Sequence, residues 1–577
     1  MKKMGTKRVK LIRLVSVFTL GVALLAIAGG VLHLTVPVGP LADNIAGLFF
    51  LLTLGAVNLL VYLDDRNIER KDYLGRRLHL LGYLCLGFVI AGLLALAGLN
   101  MLVTLIYSSR FNRLIYGGIR FIYFGMLILG AILGWQNLAA IKGGFPFRRR
   151  YRISWRKSRQ TGKKILMVLC YIALISGSAG LYFFLAGERS IFVESAPQVA
   201  EVLFSGFALF HAFILPSVSV LFLKLQNRPG SAATLLAGIL GVTCFILYLL
   251  PLMALSETCA GAEAEFTRAF GSERPEQLNP SWADHFLKSS FSLPAFFLGL
   301  PPGDYRYEKD ILFYEGSSGI DEGLKLYYDV FMPPEGREDL PGWGTALIRI
   351  HGGAWVGGDK GFANMMQVNK YFAAQGYTVF DVQYGLTDLV DLTIFQPYLG
   401  PDELTGPYTL DDMVRHLGLF TKHLAAHASD YHLDPGSVFI SGGSAGGQLA
   451  MALALAASGG EYPEICTDQL KIKGYILTYP AYRTSFLPDL SEDLEWSDLR
   501  ILVDEKSPPC LICQGTSDGL VPSQAAIQFR EKYIKSGNEQ CAVLEILRSG
   551  HLGDLYFPGY FNQVLIYYME RFMALYR

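Results

Sequence analysis

Ser444 stands among four glycines in "SVFISGGSAGGQLAMALALAAS", residues 437–458, where a β-branched apolar run gives way to a long stretch of Ala and Leu. Three chemistries suit such a junction: a phosphate cradle, a plain tight turn, or a serine held up as a nucleophile. A dinucleotide turn needs Gly at its first, third and sixth positions, and counted from Gly442 the third is Ser444 itself. A P-loop needs Gly followed by Lys, and Gly447 is followed by Gln448. Gly442-Gly443-Ser444-Ala445-Gly446 fits G-x-S-x-G instead, in which a serine rides a strained strand-to-helix turn and its neighbours two before and two after must lack bulk.

A nucleophilic serine needs a base, an acid to orient the base, and donors for the oxyanion. His551, in "LRSGHLGD", is the only histidine after Ser444. Asp518 lies between them in "CQGTSDGLVP", in the turn after a strand-like run, so the order serine, acid, histidine is satisfied without a competing base. Donors are expected from "IRIHGGAWVGGDK", where the backbone N–H groups of Gly352 and Gly353 would act with that of Ala445. His351 reads as structural, bonded to turn backbone. A Gly-rich turn accounts for either motif alone; it does not account for both together with Asp518 and His551 in order.

The elements that must position these residues alternate. Strand-like segments "LKLYYDVFMPP", "TALIRIHGG", "YTVFDVQYGL", "SVFISGG", "IKGYILTYPAY", "PPCLICQG" and "CAVLEILRSG" are separated by helical patterns such as 409–428 and 523–536. That alternation predicts a mostly parallel sheet covered on both faces, with ligands at the carboxyl ends of the strands. Each candidate residue falls at such an end.

On "HGGAWVGGDK", "DYHLDPGSVFISGGSAGGQLA", "GTSDGLVP" and "SGHLGD", residues 320–577 resemble the α/β-hydrolase superfamily, in particular the hormone-sensitive-lipase-like carboxylesterases. The resemblance implies Ser444 as nucleophile, His551 as base, Asp518 as its partner, and no metal or organic cofactor. Two departures stand out: Ala354 replaces the third glycine of the oxyanion loop, and "DVQYGL" stands where the family often has Asp-Tyr-Arg.

The first 257 residues are of another kind. A chain of 577 residues exceeds what one core usually holds. Its 50 basic and 50 acidic residues balance overall, yet charge is mostly basic before residue 257 and acidic residues gather after it. Seven stretches reach the ~20 apolar residues that a bilayer-crossing helix needs: 11–32, 45–63, 79–106, 114–135, 165–187, 199–225 and 232–256. The first lacks a small-residue cleavage site and is followed by more spans, so it reads as a span and not a signal peptide. Lys and Arg crowd the N-terminus, the loop with Arg66, Arg70, Lys71, Arg76 and Arg77, and "KGGFPFRRRYRISWRKSRQTGKK". The alternate loops, 33–44, 107–113 and 188–198, carry only Arg110, Arg113 and Arg189. The bias predicts a cytoplasmic N-terminus, and seven crossings then place the rest outside.

The expected organisation is therefore an all-α transmembrane bundle over 1–257, a connecting or cap segment over 258–319, and an α/β-hydrolase domain over 320–577. Asn100, His211 and Pro216 within spans read as packing and kinking. The eight cysteines form no disulfide framework; Cys510 and Cys513, three apart in a strand, are ~10 Å apart and too far to bridge. His416, His423 and His427 share one face of a helix, without a carboxylate motif to make a metal site of them. The apolar segments 285–302 and 386–408 are expected to roof a pocket, touch the bilayer, or pack on the sheet. Together these features predict a membrane-anchored serine esterase whose partners are an ester substrate and membrane lipids, with no nucleic acid. A serine peptidase of the same fold, or a membrane sensor or transporter with a non-catalytic hydrolase-like domain, are the competing expectations.

Overall fold

The structure, a computed structural model, describes residues 2–67, 73–143, 157–186, 206–226, 231–273, 279–361, 365–389, 400–459, 467–482, 490 and 494–577. Among them, seven helices are long and apolar enough to cross a membrane: Lys7–Thr35, Pro40–Asp65, Gly75–Leu105, Ser109–Lys142, Gln160–Tyr182, Ala208–Leu225 and Ala232–Phe270. They correspond one for one to the seven expected spans. The helical elements are α1 Lys2–Thr35, α2 Pro40–Asn67, α3 Tyr73–Leu105, α4 Ser109–Lys142, α5 Lys157–Ala186, α6 Ala208–Leu225, α7 Ala232–Leu247 and α8 Leu250–Phe270. The loop 188–198 with Arg189, the start of the sixth expected span and most of the basic loop after Lys142 lie outside the described residues.

The last span does not stop where its hydropathy falls. α7 ends at Leu247, and Pro251 opens α8, where a missing N–H costs no hydrogen bond. α8 then runs through residue 257, the expected end of the membrane domain. Its buried Thr258, Ala262, Phe266 and Ala269 keep helical spacing although the stretch has turned polar. It lies along a sheet edge, as shown below.

The sheet has eight strands in the order β1-β2-β4-β3-β7-β8-β9-β10. They are β1 Arg306–Glu315, β2 Lys325–Met332, β3 Ala346–Ile350, β4 Thr378–Val382, β7 Val438–Gly443, β8 Ile472–Thr478, β9 Cys510–Gly515 and β10 Cys541–Ile546; the short β5 Leu386–Thr387 and β6 Thr405–Gly406 pair separately. From β4 to β10 all pairings are parallel, while β1–β2 and β2–β4 are antiparallel. All seven expected strands are present. β1, with the exposed, charged pattern of an edge strand, falls in the segment expected to be a connector, so the sheet begins before residue 320.

Alternate side chains divide between two cores, as a pleat of period two requires. Ile348, Ile350, Ile440, Leu477 and Ile512 face one way, under α11 Leu410–His427, α12 Ala445–Gly459 and α13 Ser523–Lys535. Leu347, Phe439, Ile476, Leu511 and Leu544 face the other way, under α10 Met366–Ala373 and α14 Tyr560–Tyr576. This second core is continuous with the long apolar helices, reaching from Ile12 to Met573. Cys510 and Cys513 belong to opposite cores, and the seven described cysteines are free thiols, with Cys466 outside the described residues.

Polar contacts fix this junction. α9 Leu293–Leu298 is fully buried, with Phe296 and Phe297 at 0% exposure. Leu293 N donates to Asn44 Oδ1 (2.8 Å), Asn100 Nδ2 to Phe297 O (3.2 Å), and Tyr556 OH to Phe296 O (2.6 Å). The apolar part of 285–302 is thus packed between the two halves of the molecule, and it takes Asn100 into that packing. His211 is likewise a packing residue, bonded to Phe207 O and stacked on Tyr248. Lys370 on α10 donates to Val103 O (2.8 Å) and Ile106 O (2.6 Å), capping the carbonyl end of α3. At the far edge, side chains of α8 satisfy the open backbone of β10 and its exit: Arg268 Nη2 reaches Cys541 O (2.5 Å), and Leu547 N donates to Thr258 Oγ1 (3.3 Å).

The sheet-bearing half meets the bundle at the start of α2, the end of α3 and the starts of α4 and α6. The opposite helix ends carry Arg8, Lys10, Arg76, Arg77, Lys142 and Lys164.

Candidate active site

β7 ends at Gly443 and α12 begins at Ala445, leaving Ser444 alone on the turn with φ +54°. A non-glycine residue in that region is strained and persists only where surrounding bonds hold it. Ser444 N donates to Thr478 O (3.0 Å), and Ser444 O accepts from Ala481 N (3.1 Å) and Gln448 N (3.2 Å). The flanking glycines are sterically required: a Cβ on Gly442 would lie 2.2 Å from Gly446 O, and one on Gly446 2.3 Å from His351 O.

Three expected residues come together at the carboxyl edge of the sheet. Ser444 Oγ lies 3.1 Å from His551 Nε2, and His551 Nδ1 lies 2.9 Å from Asp518 Oδ2. Asp518 is fully buried yet satisfied: Oδ1 accepts from Leu520 N (2.9 Å) and Val521 N (2.8 Å), and Oδ2 also from Gln514 Nε2 (3.0 Å). A carboxylate oxygen so placed accepts the Nδ1–H of the histidine and fixes that tautomer, leaving Nε2 to accept from the serine.

The loop after β3 supplies the opposite wall. A Cβ on Gly352 would stand 2.8 Å from Gly443 O and 3.4 Å from Ser444 Cβ, so this backbone runs directly against the turn. Gly353, at φ +131°, doubles the chain back on Gly357, where a side chain would meet Gly357 O at 1.9 Å. Ala354 and Trp355 then both take left-handed conformations, φ +54° and +65°. Ala354 thus carries a Cβ in a conformation that glycine adopts without strain. His351 is buried and stacked on Tyr384 at 4.3 Å; its Nδ1 donates to Gly352 O (2.9 Å). Burial pushes its pKa down, so it is a neutral brace for the loop.

Residues 403–504 match the family model described as alpha/beta hydrolase fold. The C-terminal half has the α/β-hydrolase fold. A probable carboxylic ester hydrolase of Mycobacterium tuberculosis, LipM, is 24% identical over 275 residues, a match that takes in 44% of this chain and 57% of the relative. Among solved structures, Thermogutta terrifontis esterase 2 phosphorylated by paraoxon is 21% identical with a TM-score of 0.34, covering 43% of this chain and 84% of that one. The apo form of the same esterase is 19% identical with a TM-score of 0.34, covering 47% and 91%.

Within the α/β-hydrolase half, several side chains that the sequence reading passed over support the site. Tyr479, on the turn after β8, packs its ring 4.5 Å from that of His551 and donates its hydroxyl to Asp554. Burial raises the Asp554 carboxyl, opposed by Tyr479, Arg349 and His551. Arg349, on β3 just before the Gly352–Gly353 loop, is bonded to Ser441 Oγ (3.0 Å) and Asn369 Oδ1 (3.2 Å). A lone arginine in the apolar run "ALIRI" was the available signal, since a buried cation needs partners. Asp554 follows His551 by three residues and gave no periodic cue.

Of the three histidines on one helix face, His423 and His427 stack at 4.2 Å while His416 turns to other partners. His416 lies 3.0 Å from Asp321 and accepts from Gly385 N, His423 meets Tyr328 OH at 3.4 Å, and His427 bonds to His423 O. No group of His, Cys, Asp or Glu among the described residues is arranged to hold a metal. Part of the 386–408 insertion, residues 390–399, lies outside the described residues.

Proposed function

We propose that this protein is a membrane-anchored serine hydrolase that cleaves carboxylic esters through an acyl-enzyme on Ser444. The observation that carries the reading is the unbroken hydrogen-bond chain from Ser444 Oγ through His551 to Asp518, ending at a strained turn. As Ser444 Oγ attacks the ester carbonyl, His551 Nε2 takes its proton. The carbonyl oxygen becomes an alkoxide, stabilised by the backbone N–H groups of Gly352, Gly353 and Ala445. Collapse expels the alcohol, which takes the proton from His551. A water molecule then gives a proton to His551 and attacks the acyl carbon, and the carboxylic acid leaves as Ser444 regains its proton. Asp518 keeps its hydrogen bond to Nδ1 throughout and stabilises the imidazolium.

The hydrolase half packs on the helix ends opposite the basic ones, which supports an extracytoplasmic site above a cytoplasmic N-terminus. A reporter active only outside the membrane tests this: active after residue 273 and silent within 143–156 is expected, and the reverse pattern places the site inside. Contact with the helix ends of the bundle also supports substrates held at the membrane surface, either acyl lipids or acylated envelope glycans. Higher turnover of esters presented in vesicles than of the same acyl group on a soluble alcohol is the expected result; equal turnover removes that preference.

The decisive experiment uses the full-length protein in nanodiscs. Ser444→Ala and His551→Ala each lower ester hydrolysis by about 10⁴-fold or more while the chain still folds. A serine-reactive phosphonate labels the wild type and not Ser444→Ala. Undiminished turnover in Ser444→Ala ends the reading of Ser444 as nucleophile, and absence of labelling and turnover in the wild type leaves the non-catalytic reading.

A further inference from the structure

Tyr107 belongs to the turn between two membrane helices, α3 and α4, yet its side chain reaches into the hydrolase half. Its hydroxyl donates to Asp329 Oδ2 at 2.6 Å, and its ring packs against those of Phe331 (5.7 Å, stacked) and Tyr307 (5.2 Å), with Lys309 Nζ 4.5 Å from the ring centre. The turn itself is pinned from the other side: Tyr305 OH donates to Tyr107 O (2.5 Å), and Lys370 binds Val103 O and Ile106 O. Burial and then the Asp329 carboxylate raise the phenol pKa, so the hydroxyl is a permanent donor.

Asp329 is fully buried in β2 and carries more than Tyr107. Its Oδ1 accepts from Asp310 N (2.9 Å) and pairs with Lys360 Nζ (3.1 Å), which also binds Asp310 Oδ1 (2.5 Å). Burial alone would lower the Lys360 pKa, but Asp310 and Asp329 outweigh it and keep the ammonium. Lys360 ends the loop that begins at Gly352 and Gly353. The next residue, Gly361, donates its N–H to Asp381 Oδ2 (2.8 Å), on the strand paired with β2 at that register. Gly361 also lies directly under the tyrosine, since a Cβ there would stand 2.9 Å from Tyr107 OH.

The loop is thus held at its start by His351, Tyr384 and the serine turn, and at its end by Asp329, Asp381 and Tyr107. We propose that Tyr107 is a positioning residue for catalysis: the membrane bundle, through Tyr107 and the Asp329–Lys360 pair, sets the 352–361 loop and with it the oxyanion donors. The inference rests on the reading of Gly352 and Gly353 as those donors. It makes the bundle part of the catalytic apparatus, beyond an anchor. The chemistry is a charge-assisted relay of fixed contacts, with no proton moved.

The test uses full-length protein in nanodiscs with three readouts. A phosphonate titrates the fraction of active sites, a short soluble ester yields kcat and KM, and a boronic acid that forms a tetrahedral adduct on serine yields Ki. For Tyr107→Phe, kcat per titrated site should fall about fivefold with KM within about twofold, and Ki should rise by the factor by which kcat/KM falls, because the lost interaction serves only the tetrahedral species. Lys360→Gln should give the same pattern, and Tyr107→Phe/Lys360→Gln should be no worse than the more affected single variant, since both act through Asp329. A purely structural role lowers the titrated fraction and leaves Ki unchanged; that result, or additive losses in the double variant, overturns the inference. Absence of both labelling and turnover in the wild type overturns the esterase reading and this inference together, whereas unchanged constants in Tyr107→Phe beside an active wild type overturn this inference alone.

Discussion

The two faces of the sheet are built on different terms. The outer face closes on helices of the same half: α11, α12 and α13 cover Ile348, Ile440 and Ile512, and Phe420 is completely buried among Tyr328, Phe380 and Phe313. The inner face has only α10 and α14 of its own. Its remaining cover comes from α8, α9 and the ends of α2, α3, α4 and α6, in one continuous apolar core. A hydrolase that was merely tethered would have two closed faces and a polar linker. Here the connecting segment is itself core, and the loop carrying His551 leans on the bundle and on α9: Tyr556 packs against Phe207 (5.2 Å) and Phe210 (5.4 Å), and against Phe296 (5.1 Å).

The strongest test of that difference is to separate the halves. A fragment of residues 258–577 begins inside α8 and loses every bundle contact on the inner face. It should aggregate on size exclusion and take no phosphonate, because separation exposes the apolar inner face that the bundle covers, and soluble monomers rarely expose large contiguous apolar patches. A monodisperse fragment as reactive as the full chain would show the inner face to be self-sufficient.

A smaller change probes the same core from within. Replacing Phe296, Phe297 and Leu298 together by Ser places hydroxyls where the side chains are at most 3% exposed. Were 285–302 to touch the bilayer, one of the expectations for it, such a change would weaken action on vesicle-borne esters far more than on small soluble ones. Burial predicts instead an equal collapse on soluble and vesicle-borne esters, since each large-to-small core change costs about 2–5 kcal/mol. Phe420→Ala, on the outer face, should cost about 3–5 kcal/mol in an unfolding assay without loosening the contact between the halves. Selective loss on vesicle-borne esters alone would return the segment to a role in substrate capture.

The smallest effect is a pH dependence confined to the inner face. Glu570 on α14 is fully buried and accepts from Tyr371 OH (2.7 Å) and Leu287 N (3.0 Å), with Gln375 Nε2 beside them. Burial raises its pKa to about 7, opposed by Arg571 and these donors. The folded chain therefore holds a proton that the unfolded chain releases above its ordinary value near pH ~4.3. That stability is complete below the unfolded value and is lost as pH rises through about 7, a change on the order of 1–3 kcal/mol. Melting temperature should fall from pH 5 to pH 8, and Glu570→Gln should flatten the slope. An unchanged slope in Glu570→Gln would assign the dependence to another group.

Much of this was written locally. Apolar runs of bilayer length, strand-like runs separated by helical patterns, and the glycines around Ser444 each act through neighbours a few residues away, so spacing and residue type were enough to read them. The order Ser444, Asp518, His551 was legible for the same reason, because each sits at a strand end that its own segment defines. What the linear order left open was everything that depends on burial between distant segments. That 291–300 is core and not tether, that α8 crosses residue 257 to satisfy the edge of β10, and that β1 joins the sheet are decided by which apolar faces meet. Local hydropathy carries no record of such meetings. The same holds for Tyr107: nothing in "LIYSSRF" distinguishes an interfacial tyrosine from one that bonds a carboxylate buried in a strand 222 residues later. Only tertiary packing brought the two into contact, because a buried charge takes whichever donor the closed fold leaves within reach.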